Sequence, residues 1–575
     1  MGLMNSALHI GRNALLTYQD ALAVVGGNIS SAGSADYTRL TPQLAPLQGI
    51  SAGDGLQPGA GVILSGIRRN IDDALENRVR LASGEVKRVE AEQQALSHVE
   101  TLFDDINGVG VATRLNDFFN AFGDLQANPE DVATRDLVVA AGNGLAGSLS
   151  SMRQSLMQLG ADIDSQIPGL VTEADDLARR IADLNHRITA AEAAKRGQAT
   201  GLRDQREALL RQLGELMDVT VREEPEGSIN VYVGSETLIQ GARVRGLTTR
   251  ESFGNGVVRT SAIFDDSGAA VQTRGGRLAG LARARDTHAY GRVASIDELA
   301  AAIIADVNAV HADGQGIAGF KRLVGQTPLL RADAPIVSDP AAVAVSPTGG
   351  SFYVSVADDE TNTVTAFRID VRFGGAADTS LESLAASIND VVEGVTASIT
   401  PDNRLELVAD DGLSFTFGHD GQEARSDTSG VLAALGLNTF FTGTSAADVA
   451  VSPSVTADPN LIAAARVYAI GDGDNAARIA ELDTLVSAHV PGRSLVDGFT
   501  SIAADVAVTA GAANTAVDAS SSVFSALNAQ RISISGVSLD EEAIEMLKFE
   551  RAFQGASRFV GKVDELLQEV MSLVI

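Results

Sequence analysis

The chain has 575 residues, more than one hydrophobic core normally supports, which sets an expectation of roughly three or four domains. Lysine and arginine total 44 against 74 acidic residues, a formal charge of −30, so most of the surface repels a phosphate backbone or an anionic membrane, and nucleic acid is excluded as a natural partner. Cysteine is absent, which removes disulfides, thiolate metal sites and cysteine nucleophiles together.

From the first residue onward, Leu3, Ala7, Ile10, Ala14, Thr17, Ala21, Val24 and Asn28 fall at alternating steps of four and three, the a/d seam of a helix that needs a partner. Charge over residues 1–40 is balanced, with Arg12 and Arg39 against Asp20 and Asp36, which suits self-association better than the acidic middle does. Ala21–Val25 is too short and too late for a signal-peptide core, and no run approaches the about 18 consecutive apolar residues of a membrane span. Taken alone, these features predict no membrane insertion and a cytoplasmic protein.

Gly26-Gly27 and Ser30–Ser34 break the helical period, and Thr41–Gly61, with Pro42, Pro46 and Pro58, reads as a loop. Helical character resumes near Ile71 and runs to Ile106. Asn128-Pro129-Glu130-Asp131 reads as an N-cap, a proline at N1 and first-turn acid, opening a second long helix to about Arg196. From Val219 the period switches to two, with Val219–Val221, Ile229–Val233 and Leu238-Ile239 separated by turn residues, the mark of antiparallel hairpins. Helices return near Leu278 and over Ile296–Val310.

Alternating segments from Phe352 to Phe417, with Thr379-Ser380-Leu381-Glu382 as a capping box for a short helix to Val392, make a strand-rich module. Helical segments are expected over Leu461–Arg466, Asn475–Val486 and Leu495–Leu527. The last helix carries Met546, Phe549, Phe553, Ala556, Val560, Val563, Leu567, Val570 and Val574, again at steps of three and four. The fold class expected is therefore multidomain, mainly α with β. Its N- and C-terminal helices pair as a coiled-coil core (residues 1–40 with 536–575), and a long-helix bundle with β-hairpins (41–344 with 446–535) carries an inserted α+β domain (345–445).

Little chemistry survives inspection. Gly314-Gln315-Gly316-Ile317-Ala318-Gly319 matches a dinucleotide fingerprint by letters but follows a helix where a strand is required. Gly555–Lys562 has one residue too many for a phosphate loop, and Asp472-Gly473-Asp474-Asn475 lacks the third calcium ligand because Ala476 stands there. The seven histidines never fall at helical i, i+4 spacing, and without tryptophan for a sugar platform the acid pairs read as solvated loops. No catalytic, cofactor-binding or metal residue is assigned, and no cofactor is expected.

The two ends carry more. Asn28-Ile29-Ser30 followed by Tyr37-Thr38-Arg39 resembles the N-terminal signature of the flagellar axial family of rod, hook and hook-associated proteins, and Ser535-Gly536-Val537-Ser538-Leu539-Asp540-Glu541-Glu542 resembles its C-terminal counterpart. Ser538 suits the N-cap of the last helix with Glu541 closing a capping box, while Asp540 and Glu542 favour its dipole. Gly27 stands where the family commonly has a second asparagine, and Asp36 where it has glycine. Leu202–Leu210, Leu238–Gly241, Gly275–Leu281 and Asn308–Gly314 resemble the hook-associated branch of that family, in the same order. The resemblance covers residues 1 to about 325 and about 455 to 575.

It implies a structural adaptor that joins hook to filament, with the two seams, Ile29, Tyr37 and Arg39 as assembly interface. The partners it implies are further copies in a ring of the flagellar axis, the hook protein and the next hook-associated junction protein. It also implies passage through the flagellar type III export apparatus with the help of an export chaperone, and a secreted, extracellular location at the hook-filament junction. The alternatives left open are another axial protein, a hook or distal rod subunit, and, from a different class, a secreted peptidoglycan hydrolase or adhesin on a helical stalk.

Overall fold

The computed structural model describes residues 2–34, 37–47, 59–104, 110–193, 199–254, 256–339, 343, 345–361, 363–375, 378–420, 422–469 and 471–574, without the side chains of residues 2–5, 573 and 574. The chain is mostly helical with antiparallel strands, and it divides into two compact units. The first comprises Met1–Gln94, Ala161–Ala284 and Ala512–Ile575; the second comprises Ala95–Gly160 and Arg285–Gly511.

In the first unit, α1 (Gly2–Ser30) leads into a hairpin of β1 (Leu40–Pro46) and β2 (Val62–Arg69). The prolines of Thr41–Gly61 predict a loop, and its first part, to Pro46, is strand instead. Pro42 and Pro46 fit because a two-stranded ribbon has an open edge where the missing N–H costs nothing. α2 (Asp73–Phe103) is capped by Asp72, whose Oδ1 accepts from the amides of Ala74 and Leu75 at 3.0 and 3.1 Å. Beyond α3 (Val111–Ala127) and α4 (Val132–Glu192), α5 (Thr200–Leu216) precedes the four-stranded sheet β3 (Val219–Glu223), β4 (Ile229–Val233), β5 (Glu236–Gln240) and β6 (Arg243–Val244), paired in that order. Ile229, Val231 and Val233 are buried while Asn230 and Tyr232 are not, as the period of two demands. A further hairpin, β7 (Leu247–Gly254) with β8 (Val257–Phe264), is followed by α6 (Gly276–Arg283).

In the second unit, α7 (Tyr290–Ala312) and α3 share one core with Phe440 and Phe441. Phe118 sits at the centre, its ring 5.2 to 5.4 Å from those of Phe119, Phe122, Phe440 and Phe441. A separate core belongs to the strand-rich region. There β9 (Arg322–Val324), β12 (Val395–Ile399) and β13 (Leu405–Ala409) form one sheet, and β10 (Gly350–Asp358), β11 (Val364–Val371) and β14 (Leu413–Phe417) form another. α8 (Leu381–Val391), between β11 and β12, contributes Leu384 and Ile388 to that core, as α9 (Val431–Leu435) does Leu432 and Leu435. α10 (Pro453–Ala457) and α11 (Asp474–Ala480) precede α12 (Leu495–Ser535) and α13 (Leu539–Val574).

Three local expectations shift. Asn128 ends α3, and Asp131 caps α4 by accepting from Ala133, Thr134 and the Thr134 hydroxyl. The α8 box is Ser380 with Ser383, one residue later than read, because Ser380 is the residue whose extended backbone aims Oγ at the third amide. Ile462–Ala465 is not helical; Gln315 and Ala465 exchange both backbone hydrogen bonds there. One helical stretch, Leu495–Ser572, contains an 18-residue window of mean hydropathy 1.3, enough by length and composition for a membrane span. Counting consecutive apolar residues misses it because serine, threonine, glycine and aspartate interrupt the run.

Candidate assembly site

α1 presents two adjoining faces. Asn13 Nδ2 donates to Ala60 O at 3.4 Å, Thr17 Oγ1 to Val62 O at 2.9 Å, and Asn28 Nδ2 to Leu40 O at 2.8 Å, so this face lies on the β1–β2 hairpin. Thr17 and Asn28 are eleven residues apart, three turns, and share that face. The other face meets α13: Ala21, Val25 and Phe549 form a buried cluster against which Tyr18, Leu22 and Ile29 pack. Two turns before Tyr18, a Cβ at Gly11 would overlap Val560 Cγ2 and come within 3.3 Å of the Phe559 ring. Glycine at this position is what lets the two helix axes approach.

Of the seam residues, Thr17, Ala21, Asn28, Phe549 and Val563 are buried. Ala7, Ile10, Ala14, Val24, Phe553, Ala556, Val560 and Leu567 are half-buried, and Met546 and Val570 are exposed. The side chains of Leu3 and Val574 lie outside the described residues. Leu16, Ile544, Leu547, Phe559, Leu566 and Met571 add exposed apolar surface to the same two helices.

Where the helices converge, a polar network ties the two terminal signatures together. Asn28 is 0% exposed; its Nδ2 also donates to Glu542 Oε2 at 2.8 Å, and its Oδ1 accepts from the Tyr37 hydroxyl at 2.8 Å and the Leu40 amide at 3.0 Å. Glu542 is 1% exposed and takes Arg39 Nε on its other oxygen at 2.7 Å. The Arg39 amide donates to Ser535 O at 2.8 Å, and its Nη1 to Glu541 Oε2 at 2.5 Å. Ser538 accepts from the Glu541 amide at 3.5 Å, so the Ser538 arm of the cap is long and the Glu541 carboxylate is turned to Arg39.

Asp540 stands in the same first turn, where negative charge suits the helix dipole. Burial, then the nearby Asp204 and Glu542 charges, push the Tyr37 hydroxyl above its ordinary pKa and keep it a donor to Asn28. Asp204 of α5 accepts from Thr38 and pairs with Arg69 of β2 at 2.7 Å, so the interior stretch Leu202–Leu210 touches the N-terminal signature. Glu542 and Asp204 are the hubs. The sequence offered Glu542 only as a dipole partner and Asp204 only as a letter in a motif.

A family model described as the flagellar hook-associated protein FlgK helical domain matches residues 96–324, one described as the flagellin hook IN motif matches 351–411, and one described as the flagellar basal body rod FlgEFG protein C-terminal matches 528–573, which include Ser535–Glu542. The chain is similar to flagellar hook-associated protein 1 of Escherichia coli (strain K12), 24% identical over 99% of this chain and 100% of that one. The Salmonella typhimurium protein of the same name is 25% identical over the same shares. The chain is a homologue of flagellar hook-associated protein 1 throughout.

The fold is similar to that in "The structure of the flagellar hook junction protein FlgK from Burkholderia pseudomallei", with a TM-score of 0.50 and 15% identity over 80% of this chain and 100% of that one. Flagellar hook-associated protein 1 is a structural, non-enzymatic family, and the interior residues behave accordingly. Arg203 holds the buried Glu192 with Nε and Nη2, both at 2.9 Å, and Glu223 with Nη1 at 3.0 Å. Arg206 Nη1 donates to Asn185 Oδ1 and Gly227 O, and Asn185 bonds Ile229 and Gly241, which pins the β3–β5 meander to α4. His311, in the Asn308–Gly314 stretch, is fully buried between Asn438 O at 2.8 Å and the Ala463 amide at 3.0 Å; burial lowers its pKa to about 4, so the ring is neutral, with Nδ1 donating and Nε2 accepting. Arg203, Arg206 and His311 are thus engaged in holding the fold.

Proposed function

We propose that this chain is the hook-associated adaptor of a bacterial flagellum, a subunit that joins hook to filament by self-assembly through its terminal helices. The observation that carries the reading is the junction of Asn28, Tyr37 and Arg39 with Glu541 and Glu542. The residues that mark the axial family at either end are partners of one another, and they brace two helices whose outer flanks still expose Leu16, Ile544, Leu547, Phe559 and Leu566. Apolar surface left on a braced helix pair is surface for neighbouring copies. Each Leu, Val or Phe covered there contributes roughly 1.5 to 3 kcal/mol, enough in series to offset the entropy of ordering both ends.

In this reading residues 1–40 and 536–575 form a coiled-coil assembly domain, 41–344 with 446–535 a helical domain, and 345–445 an inserted domain. Copies close into a ring in the flagellar axis, between the hook protein and the next hook-associated junction protein. The subunit is secreted through the flagellar type III apparatus, a chaperone covering the apolar C-terminal helix on the way, and it resides outside the cell. A chain without cysteine threads through such an apparatus without disulfides to break.

The test is complementation of a strain lacking the gene. That strain is expected to carry hooks without filaments and to shed flagellin into the medium, with the native chain restoring filaments and Phe553→Asp failing to. Restoration by Phe553→Asp would refute assembly through the seam.

A further inference from the structure

The second unit holds a cavity of about 800 Å³ between the start of α4, the loop after α7 and the segment before α11. That volume falls in the roughly 300 to 1,000 Å³ range of ligand sites. Arg135 lines it, 1% exposed, with Nε donating to Pro129 O at 2.9 Å and Nη1 to Ile462 O and Pro459 O at 2.8 and 3.2 Å. These acceptors are all carbonyls. Among the described residues no carboxylate pairs with the guanidinium, and Nη2 has no hydrogen-bond acceptor. Burial lowers its pKa to about 10, as befits a cation without a counter-ion. Gln315, also in the lining and 4% exposed, donates from Nε2 to Val467 O at 2.6 Å and keeps a buried Oε1 with no donor. Two lining side chains stay open to solvent: Ile317, 53% exposed, and Tyr468, 44% exposed, whose ring stacks on buried His419 with centroids 6.2 Å apart. The acids of the lining do not neutralise Arg135. Asp472 accepts from the amides of Arg466, Val467 and Asp474, and Glu130 is exposed to water.

We propose that this cavity receives an acidic residue of a second polypeptide, its carboxylate seated on Arg135 Nη2, a backbone N–H of the same segment on Gln315 Oε1, and a neighbouring apolar side chain against Tyr468 and Ile317. A guanidinium surrounded by carbonyl dipoles keeps its full charge, and a carboxylate is the group that both neutralises it and accepts from its remaining N–H bonds. A basic ligand would meet a like charge at the floor. Gln315 Oε1 is an acceptor, so a ligand that offers only a carboxylate leaves it orphaned, whereas a peptide brings acceptor and donor one residue apart. The soft terminal torsion of glutamine allows Oε1 to turn toward an arriving N–H. An exposed aromatic beside an exposed aliphatic side chain, over a buried charged group, is the composition that anchors a partner's side chain. Every group involved belongs to the second unit, so the cavity needs neither the terminal seam nor a ring of copies.

Isothermal titration calorimetry on the full-length protein tests it with three probes: N-acetyl-Phe-Glu amide, its neutral isostere N-acetyl-Phe-Gln amide, and phenylpropionate, an acid with no N–H. The glutamyl peptide is expected to bind with a Kd of about 1 mM or tighter, and each of the others about tenfold more weakly. Equal binding of the glutaminyl peptide would remove the role of the Arg135 charge and overturn the proposal. Equal binding of phenylpropionate would overturn the polypeptide as occupant in favour of a free organic acid, and no binding of any probe at millimolar concentration would overturn the site. Arg135→Gln is expected to abolish binding. Ile317→Asp, at an exposed position that tolerates a charge, is expected to weaken it about tenfold by setting a like charge beside the incoming carboxylate, and Tyr468→Ala to weaken it severalfold. Should Arg135→Gln fail to fold, the two exposed positions carry the test, and native affinity in both would place the peptide elsewhere and overturn the proposal. The assay requires no assembly, so its failure leaves the adaptor reading untouched, and normal filaments made by Phe553→Asp would leave the cavity's ligand standing.

Discussion

The approach of α1 to α13 at Gly11 yields a paired experiment in which two physical effects of opposite sign are set against each other. Alanine is favoured over glycine in a helix interior by roughly 1 kcal/mol, so Gly→Ala at an open position of α1 slows local opening by about fivefold. Gly26 is such a position, with no atom within 4 Å of a Cβ placed there. At Gly11 the same methyl overlaps Val560 Cγ2 and crowds the Phe559 ring. Valine in a helix has essentially one χ1 rotamer, so it cannot swing clear, and relief requires α13 to move. Overpacking of this kind costs about 1 to 3 kcal/mol, which cancels or exceeds the gain in propensity. Exchange of the α1 amides in the monomer is therefore expected to slow in Gly26→Ala and to hold steady or quicken in Gly11→Ala, with the Val560 segment quickening alongside. If Gly11→Ala protects α1 as Gly26→Ala does, α13 does not lie against this turn, and the account of how the ends pair is wrong.

Phe549→Ala empties the cluster with Ala21 and Val25; at about 3 to 5 kcal/mol for a buried phenylalanine it weakens the hold of α13 on α1, and limited proteolysis is expected to cut near both ends first. Gly276→Ala combines a φ of +79° with a Cβ 2.5 Å from Leu216 O, so it is expected to destabilise the first unit by more than about 2 kcal/mol in urea unfolding, against a near-neutral Gly123→Ala, where the space is open. Acid weakens the second unit through His311. Its folded pKa of about 4 lies below the ordinary 6.5, so the unfolded chain binds the proton first; the stability is complete above pH 6.5 and is lost as the pH falls toward 4, by about 3 kcal/mol. His419, with a pKa of about 4 for the same reason of burial, adds in the same direction. Urea midpoints for the second unit that stay flat between pH 6.5 and 4 would show that His311 is not buried neutral.

How much of this was legible depends on whether the determining contact is local. The heptad rhythms of α1 and α13 are visible because an apolar seam repeats every few residues, and β4 is visible because Ile229, Val231 and Val233 alternate. The β1–β2 hairpin was hidden because Pro42 and Pro46, which punctuate loops, are also tolerated on an edge strand, and only the register with Val62–Arg69 distinguishes the cases. The partner of each stripe was hidden too. Residues 13, 17 and 28 share a face with the predicted seam, yet their polar atoms bond the hairpin, while Gly11, Tyr18, Leu22 and Val25, one position around the helix, meet α13. A repeat of three and four says that a face is covered, not by what.

The polar junction explains why the ends need both a greasy seam and charged signatures. Apolar stripes of period seven tolerate slippage by a full heptad, since every a and d position presents much the same surface to its partner. Asn28 and Arg39 on one side and Glu541 and Glu542 on the other fit in one register only, because a slip of a single heptad would bury Asn28 and Glu542 apart, each without its partner, at several kcal/mol apiece. Buried polar groups earn their place in coiled coils by this means, as selectors of register rather than as sources of net stability. The network sits at one end of the helix pair, next to Phe549, so alignment is set there while Val560 and Val563 further along supply apolar contact. Arg39 spends its charge inside the subunit, leaving the outer flank of α1 with Arg12 and Asp20 as its charged groups among apolar neighbours such as Leu16. On a chain of net charge −30, a flank with one charge of each sign repels a like copy less than the acidic middle of the chain does.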